Sequence, residues 1–329
     1  MAGQGYKGSF GKAWGNSEVL TMRDYLVKLK PISPFHIGEP GIGLEESQSW
    51  VPADLLFSAF CNAYGVLFGK EELESLIASF LSSPPFLLSS AFPFYKDVLL
   101  FPPPLLPPKI KEENWKDLKE YDFIPYKAFS QWIKGEEISF PFETFALPKA
   151  EVLPAVTLDR GNMRSQIYHR SAIFFPEDSG LFFLLRLNDE NCLEKFKVAL
   201  RFLGEMGIGG ERSLGFGYFQ IQSFEEISLF PPPAPSSPTL TLSPVIPSEE
   251  EEIDLSKCYY NLCLKGGWTT SPFQRLQKRK KRVWMLSEGS VFPKLVKGKL
   301  VELTPNGFPH KVYRYAFAFP VGVMMDAES

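Results

Sequence analysis

Between Gly207 and Gly217 five of eleven residues are glycine, in the run GIGGERSLGFG, and its flanks restrict the folds open to this chain. Upstream, Asn188–Met206 carries a helical apolar period, with Asn188 or Asp189 as cap and Gly207 as stop. Downstream, the residues alternate into a strand through Phe216, Tyr218 and Gln220. A dinucleotide fingerprint follows a strand and opens a helix, so that the pyrophosphate meets a helix N-terminus. Here that order is reversed, and no Gly-Lys-Ser/Thr closes the run, which argues against a phosphate loop as well. Two uses remain open. Such a backbone can take φ > 0 and press against another backbone, or it can aim successive N–H groups at an anion, with the Arg212 guanidinium and Ser213 hydroxyl beside them.

The elements ahead of this loop complete a recognisable order. Asp24–Ser33 alternates as a half-buried strand, and a Gly/Pro-rich loop leads to Pro52, suited to the first turn of a helix through Phe68. A second helical stretch starts at Lys70. Strand-like runs follow at Phe92–Phe101, Ser165–Phe175 and Gly180–Leu187, the last two joined by PEDSG, which reads as a hairpin. The resulting βαββαβ order predicts an α+β fold of the split-βαβ, ferredoxin-like kind, with both helices on one face of an antiparallel sheet.

Proline punctuates the rest. Phe230–Asp254 holds seven prolines and four consecutive glutamates and reads as a linker (230–254) between a first domain (22–229) and a second (255–329). A second Pro-rich run at Phe101–Lys109 opens an insertion spanning about 102–155, and residues 1–21 read as a flexible leader. The second domain offers strands near 258–265, 299–303 and 312–323 but no long helix, and is read as a degenerate copy of the first.

The formal charge of −3 conceals a division: from Leu255 to Met325 there are thirteen Lys or Arg against Glu288 and Glu302, so this part is basic and the rest acidic. Such asymmetry points to a polyanionic partner for the basic part. Cys61, Cys192, Cys258 and Cys263 have neither disulfide-framework nor zinc-knuckle spacing and read as core thiols. No apolar run reaches the roughly 18–20 residues of a membrane span, and no secretory signal opens the chain. The expectation is a cytoplasmic protein with no membrane partner, metal or cofactor.

The loop Gly207, Gly209, Gly210, Ser213, Gly215, Phe216, Gly217 and Phe219, after the second helix of such a unit, resembles the signature of the RAMP proteins of CRISPR systems. Together with LKPISPFHIGEPGIGLEESQSWVPADLLFSAF, TLDRGNMRSQIYHR, GLFFLLRL and LSEGSVF…HKVYRYAFAFPVGV, the chain resembles the fourth-subunit family of the type III-A (Csm) effector complex over nearly its whole length from Met22. It departs from the family's usual Ser-Asp-Thr-Leu helix start, with Ala53, Asp54, Leu55 and Leu56. The resemblance implies a non-catalytic subunit that holds the five-prime, repeat-derived handle of the crRNA. It further implies contacts with the large signature subunit, the cyclic-oligoadenylate synthase, and with the backbone RAMP subunit.

On this reading the RNA-binding residues are His36, Gly38, Arg160, Arg164, Gly207, Gly209, Gly210, Arg212, Ser213, Gly215 and the run Lys278, Arg279, Lys280, Lys281 and Arg282. In related subunits a thumb hairpin from the region of Thr157–Arg170 separates guide from target RNA, which makes Met163, Ile167 and Tyr168 wedge candidates. A rival reading makes the chain a metal-independent endoribonuclease that processes precursor crRNA through His36, although no second general acid or base is evident. A third makes it an assembly scaffold whose basic face meets acidic protein.

Overall fold

The stretch Ser179–Leu187, SGLFFLLRL, is buried at all nine positions, as a strand must be when both faces of its sheet are covered. It is β8 of a computed structural model that describes residues 22–38, 43, 45–158 and 165–325. Ahead of it come β1 (Arg23–Pro31), α1 (Ala53–Phe68), α2 (Lys70–Ser82), β2 (Phe86–Leu88), β3 (Phe92–Tyr95), β4 (Val98–Phe101), α3 (Trp115–Leu118), β5 (Ile124–Pro125), α4 (Tyr126–Ile133), β6 (Lys149–Leu158) and β7 (Ser165–Phe174). After it come α5 (Leu193–Met206), β9 (Phe219–Ile227), β10 (Thr239–Thr241), β11 (Leu262–Lys265), β12 (Val283–Leu286), β13 (Val291–Phe292), β14 (Gly298–Glu302), β15 (Tyr313–Phe317) and β16 (Pro320–Gly322).

The main sheet has the order β5-β4-β3-β8-β1-β9, with β2 also on β8, and every pairing in it is antiparallel. The period-2 pattern divides its residues between two cores. Val27, Leu29, Leu181, Phe183 and Leu185 face α1, α2 and α5, where they meet Phe57, Phe60, Phe80, Phe196 and Leu200. Leu26, Phe182 and Leu184 face the other way, onto Phe101 of β4, Phe129 and Trp132 of the insertion, and Leu240, Phe319 and Val321. Each fully buried phenylalanine contributes about 1.5–3 kcal/mol of transfer free energy, so both layers are substantial.

Several expectations change here. The stretch 230–254, expected as a linker, supplies β10 as the middle strand of a β13-β10-β16 sheet, with Leu240 and Leu242 fully buried. Exposure is confined to its flanks: Pro231, Pro232, Pro235 and Ser236 are exposed, whereas Thr239–Val245 is buried throughout. The residues after 254 likewise do not stand apart. Tyr315 and Phe317 enter the helical core, the Leu88 amide donates to the Tyr315 hydroxyl at 2.8 Å, and Val291 and Val323 enter the second core. No α-helix follows Met206 among the described residues. Phe92–Phe101 is two strands, because Lys96 takes φ 54° and turns the chain between Tyr95 and Val98 without a glycine to signal it. PEDSG does not close a β7–β8 hairpin: β7 pairs with β6, β8 pairs with β1, and the turn passes the chain between sheets. The leader lies outside the described residues.

Candidate nucleic-acid interface

The glycine loop is packed, and its neighbours show against what. Gly209 (φ 88°) lies so close to the β1–α1 connection that a Cβ there would sit 2.4 Å from the His36 carbonyl oxygen; at Gly210 it would sit 2.8 Å from His36 Cδ2. The Gly210 amide donates to the His36 carbonyl and the Gly217 amide to the Pro34 carbonyl, both at 2.8 Å. The Gly207 amide closes the helix on Leu203, and the Ile208 amide donates to the Gly217 carbonyl. The anion nest expected from the sequence is therefore not formed by Gly207, Gly210 or Gly217, whose amides are engaged within the chain. What remains available is the tip: the amides of Gly209, Glu211, Arg212 and Ser213 have no acceptor among the described residues, Ser213 is exposed, and Gly215 (φ 89°) has open space where a Cβ would stand.

His36 is buried beneath this loop. Its Nδ1 lies 2.9 Å from the Ser171 carbonyl, which can only accept, so Nδ1 carries the proton and Nε2 faces Gly38. Phe35 exchanges backbone bonds with Ile173, so the β1–α1 connection is clamped between β7 and the glycine loop. Arg170 of β7 completes the clamp: its guanidinium pairs with Glu211 at 3.0 Å and stacks 4.9 Å from the Phe216 ring centroid. The sequence reading placed Arg170 in the hairpin but did not assign it this role.

The hairpin β6–β7 projects from that clamp in register over ten pairs, from Lys149↔Phe174 to Leu158↔Ser165. Val156 faces Ile167 across the ladder near the hairpin end, and both are exposed, Ile167 at 68%; exposed Val152 lies on the same face nearer the clamp. Tyr168 projects from the opposite face and is half-buried. Arg160, Met163 and Arg164 lie outside the described residues.

The basic run forms one wall of a cleft of about 870 Å³ whose other wall is Ile37, Gly38 and the start of α1. Arg279, Lys280 and Arg282 line it together with Gly38, Asp54, Lys265, Trp268 and Arg314. The Lys278 ammonium is instead spent on the Asn306 carbonyl at 2.7 Å, and Lys281 is exposed. Arg279 stacks on exposed Trp268, 5.3 Å from the ring centroid. At the floor, the buried Asp54 carboxylate accepts from Arg314 and lies 3.9 Å from the Lys265 ammonium. Burial pushes the Asp54 carboxyl up, but Lys265, Arg314 and Lys280 together outweigh it and hold it below the usual carboxylate range. Burial lowers Lys265 too, yet Asp54 and Glu288 keep it raised. Lys280 is the member left short: burial first, then Arg314, bring it down to about 8 against the pull of Asp54.

Asp54, Lys265 and Arg314 were not among the sequence-predicted site residues. A lysine ending LCLK and an arginine inside YRYAF, both otherwise apolar strands, were the available signal, since a charge in such a run is rarely buried without a task. Lys280 gives a pH test. The folded chain sheds this proton near pH 8 and the unfolded chain near 10.5, so the penalty is fully present below 8 and gone above 10.5. Stability relative to a Lys280→Met variant should therefore rise by about 3 kcal/mol between those limits, measured by urea unfolding at each pH.

Among the described residues no helix is long and apolar enough to cross a membrane, and no three His, Cys, Asp or Glu converge as metal ligands. Comparison with known proteins places this geometry in a family. The model of the RAMP superfamily matches residues 28–220, and that of the CRISPR Csm4 C-terminal domain matches residues 235–323. The protein described as CRISPR system Cms protein Csm4 from Thermococcus onnurineus is 32% identical over 284 residues, covering 82% of this chain and 91% of that one. Its counterpart in Streptococcus thermophilus is 26% identical over 288 residues, covering 83% and 91%. Among solved structures, a chain of a Csm1–Csm4 cassette in complex with cA4 superposes with TM-score 0.62 at 25% identity, covering 93% of this chain and all of that one. A chain of the Csm3–Csm4 subcomplex of the type III-A interference complex gives TM-score 0.60 at 17% identity, covering 92% and 100%, a likeness of fold. With one model spanning more than half the chain and a relative above 30% identity across most of it, this chain belongs to the RAMP superfamily and, within it, to the Csm4 family.

Proposed function

We propose that the chain is a non-catalytic, crRNA-binding subunit of a type III-A CRISPR interference complex. It holds the five-prime handle of the guide and bridges the large signature subunit to the backbone RAMP subunit. The observation that carries this reading is the convergence of Arg279, Lys280 and Arg282 on Ile37 and Gly38 across one open cleft, beside an exposed tryptophan. Cations track phosphates and an aromatic face stacks a base, the combination that single-stranded RNA needs. The solved Csm1–Csm4 and Csm3–Csm4 assemblies support the two protein contacts. The sheet with α1 and α5 on one face is read as a ferredoxin-like unit, and β6–β7 as its thumb, with exposed Ile167 placed to part guide from target RNA. His36 supports binding over cleavage: its imidazole is buried, one nitrogen is committed to Ser171, and its surroundings are glycine backbone.

Fluorescence anisotropy of the full chain with labelled repeat RNA, in EDTA, tests this. The logarithm of the dissociation constant should rise linearly with log salt, and Arg279→Gln with Arg282→Gln should lower the slope by about 0.7–1 for each charge removed. A flat salt response would favour the scaffold reading. Cleavage at one site, lost in His36→Ala, would overturn the non-catalytic one.

A further inference from the structure

Two buried arginines in this chain offer a contrast. Arg186 is neutralised one to one by Asp24, and its Nε, Nη1 and Nη2 all have partners. Arg314, only 7% exposed, is not so well served. Its Nη1 donates to Asp54 and its Nη2 to the Gly266 carbonyl, but its Nε is buried with no hydrogen-bond partner among the described residues. Asp54 must also serve Lys265 and Lys280, and its Oδ1, also lacking a hydrogen bond, has the Lys265 ammonium only at 3.9 Å. The other carboxylate acting on Lys265, Glu288, accepts from the Ser90 hydroxyl at 2.6 Å. Lys265, Lys280 and Arg314 thus draw on two carboxylates, of which only Asp54 lines the cleft, and Arg279 and Arg282 add two more cations at the rim. An excess of positive charge withdrawn from water is costly, and no further carboxylate lines the cleft among the described residues.

We propose that this cleft is a phosphate site, seating one phosphodiester of the bound RNA against Lys265, Lys280 and Arg314, with Asp54 holding the Arg314 guanidinium in place and Trp268 stacking the adjoining base. The proposal rests on the RNA-binding reading above and assigns it a specific anchor. Three features point to a strand in preference to a free ion. At about 870 Å³ the cleft is far larger than one phosphate, its rim carries a cation-stacked aromatic, and its far wall is the loop that packs on the glycine run. Asp54 acts as a positioning residue, because a carboxylate among cations fixes a guanidinium fork without itself meeting an anion.

The experiment is thermal unfolding of the full chain in sodium phosphate, and separately with a short repeat RNA or ATP, each against chloride at matched ionic strength. Phosphate should raise the wild-type midpoint saturably by several degrees, and the RNA should do so at far lower concentration. Lys280→Met should start from a higher midpoint in chloride, having shed an unpaired charge, yet lose most of the phosphate shift and bind RNA at least fivefold more weakly. A purely structural lysine would lower the starting midpoint instead. Arg282→Gln, at the exposed rim, should weaken RNA binding with an unchanged midpoint in chloride. RNA binding without any phosphate shift would leave the RNA reading standing and overturn this site. A phosphate shift lost in Lys280→Met with RNA affinity unchanged would overturn the assignment to RNA, and a larger shift with ATP than with RNA would overturn it in favour of a free nucleotide.

Discussion

Arg186→Ala should cost the fold about 3–5 kcal/mol, the amount by which a buried carboxylate left without its partner destabilises a protein. Arg186 lies on β8, at the centre of the sheet, and points into the second core. It donates to both Asp24 oxygens at 2.8 and 2.7 Å, reaches the Phe230 carbonyl at 2.9 Å and the Pro320 carbonyl at 3.3 Å, and stacks 4.9 Å from the Phe319 ring centroid. One side chain therefore ties β1, the start of the Pro-rich stretch and the C-terminal strands together. Its removal strands Asp24 and two carbonyls at once. The control is Asp24→Leu with Arg186→Met, which removes both charges and keeps apolar volume; it should recover most of the loss. Urea unfolding followed by fluorescence measures both. A loss under about 1 kcal/mol for Arg186→Ala would mean that the C-terminal strands are held by apolar burial alone.

Gly217→Ala should be nearly as damaging, at roughly 3 kcal/mol, while Gly215→Ala should cost only about 1 kcal/mol, although both glycines have φ between 80° and 90°. The left-handed backbone penalises any side chain at either position. At Gly215 nothing else stands in the way, whereas at Gly217 the added Cβ would lie 2.1 Å from the Ile208 carbonyl oxygen and 2.8 Å from its nitrogen. Relief requires breaking the Ile208–Gly217 bond or the Gly217–Pro34 bond, and with the latter the seating of the β1–α1 connection. Equal losses at the two positions would show that backbone conformation, not close approach, is what these glycines provide. The pair also separates packing from binding: Gly215→Ala should leave the clamp over His36 intact, so any loss of RNA affinity there reports on the exposed tip.

Much of the front sheet was legible because its signals are local. The alternation of Asp24–Ser33, the helical period from Pro52, and the stop at Gly207 each depend on residues within a few positions of one another, and all three elements stand close to where they were expected. The Lys96–Asp97 turn was missed because a lysine at positive φ carries no turn signature. The linker reading of 230–254 failed for a different reason. Prolines and serines mark a path without regular pairing, but Thr239–Thr241 needs only three residues to bridge two other strands, too few to show a period. Within the candidate site, the basic run and the His36 loop could be found one by one, while the carboxylate that organises the cleft could not.

The amino-acid sequence by itself determined where the chain is stiff, where it turns, and that its C-terminal part is basic, because torsional preference and charge are properties of neighbouring residues. Only the tertiary structure decided what covers the second face of the sheet, and that Asp54 and Arg314, 260 residues apart, share one cleft with Lys265 and Lys280. An apolar strand face demands burial but accepts any apolar partner, and a charge seeks its opposite wherever packing delivers it. Both choices belong to the folded assembly of layers.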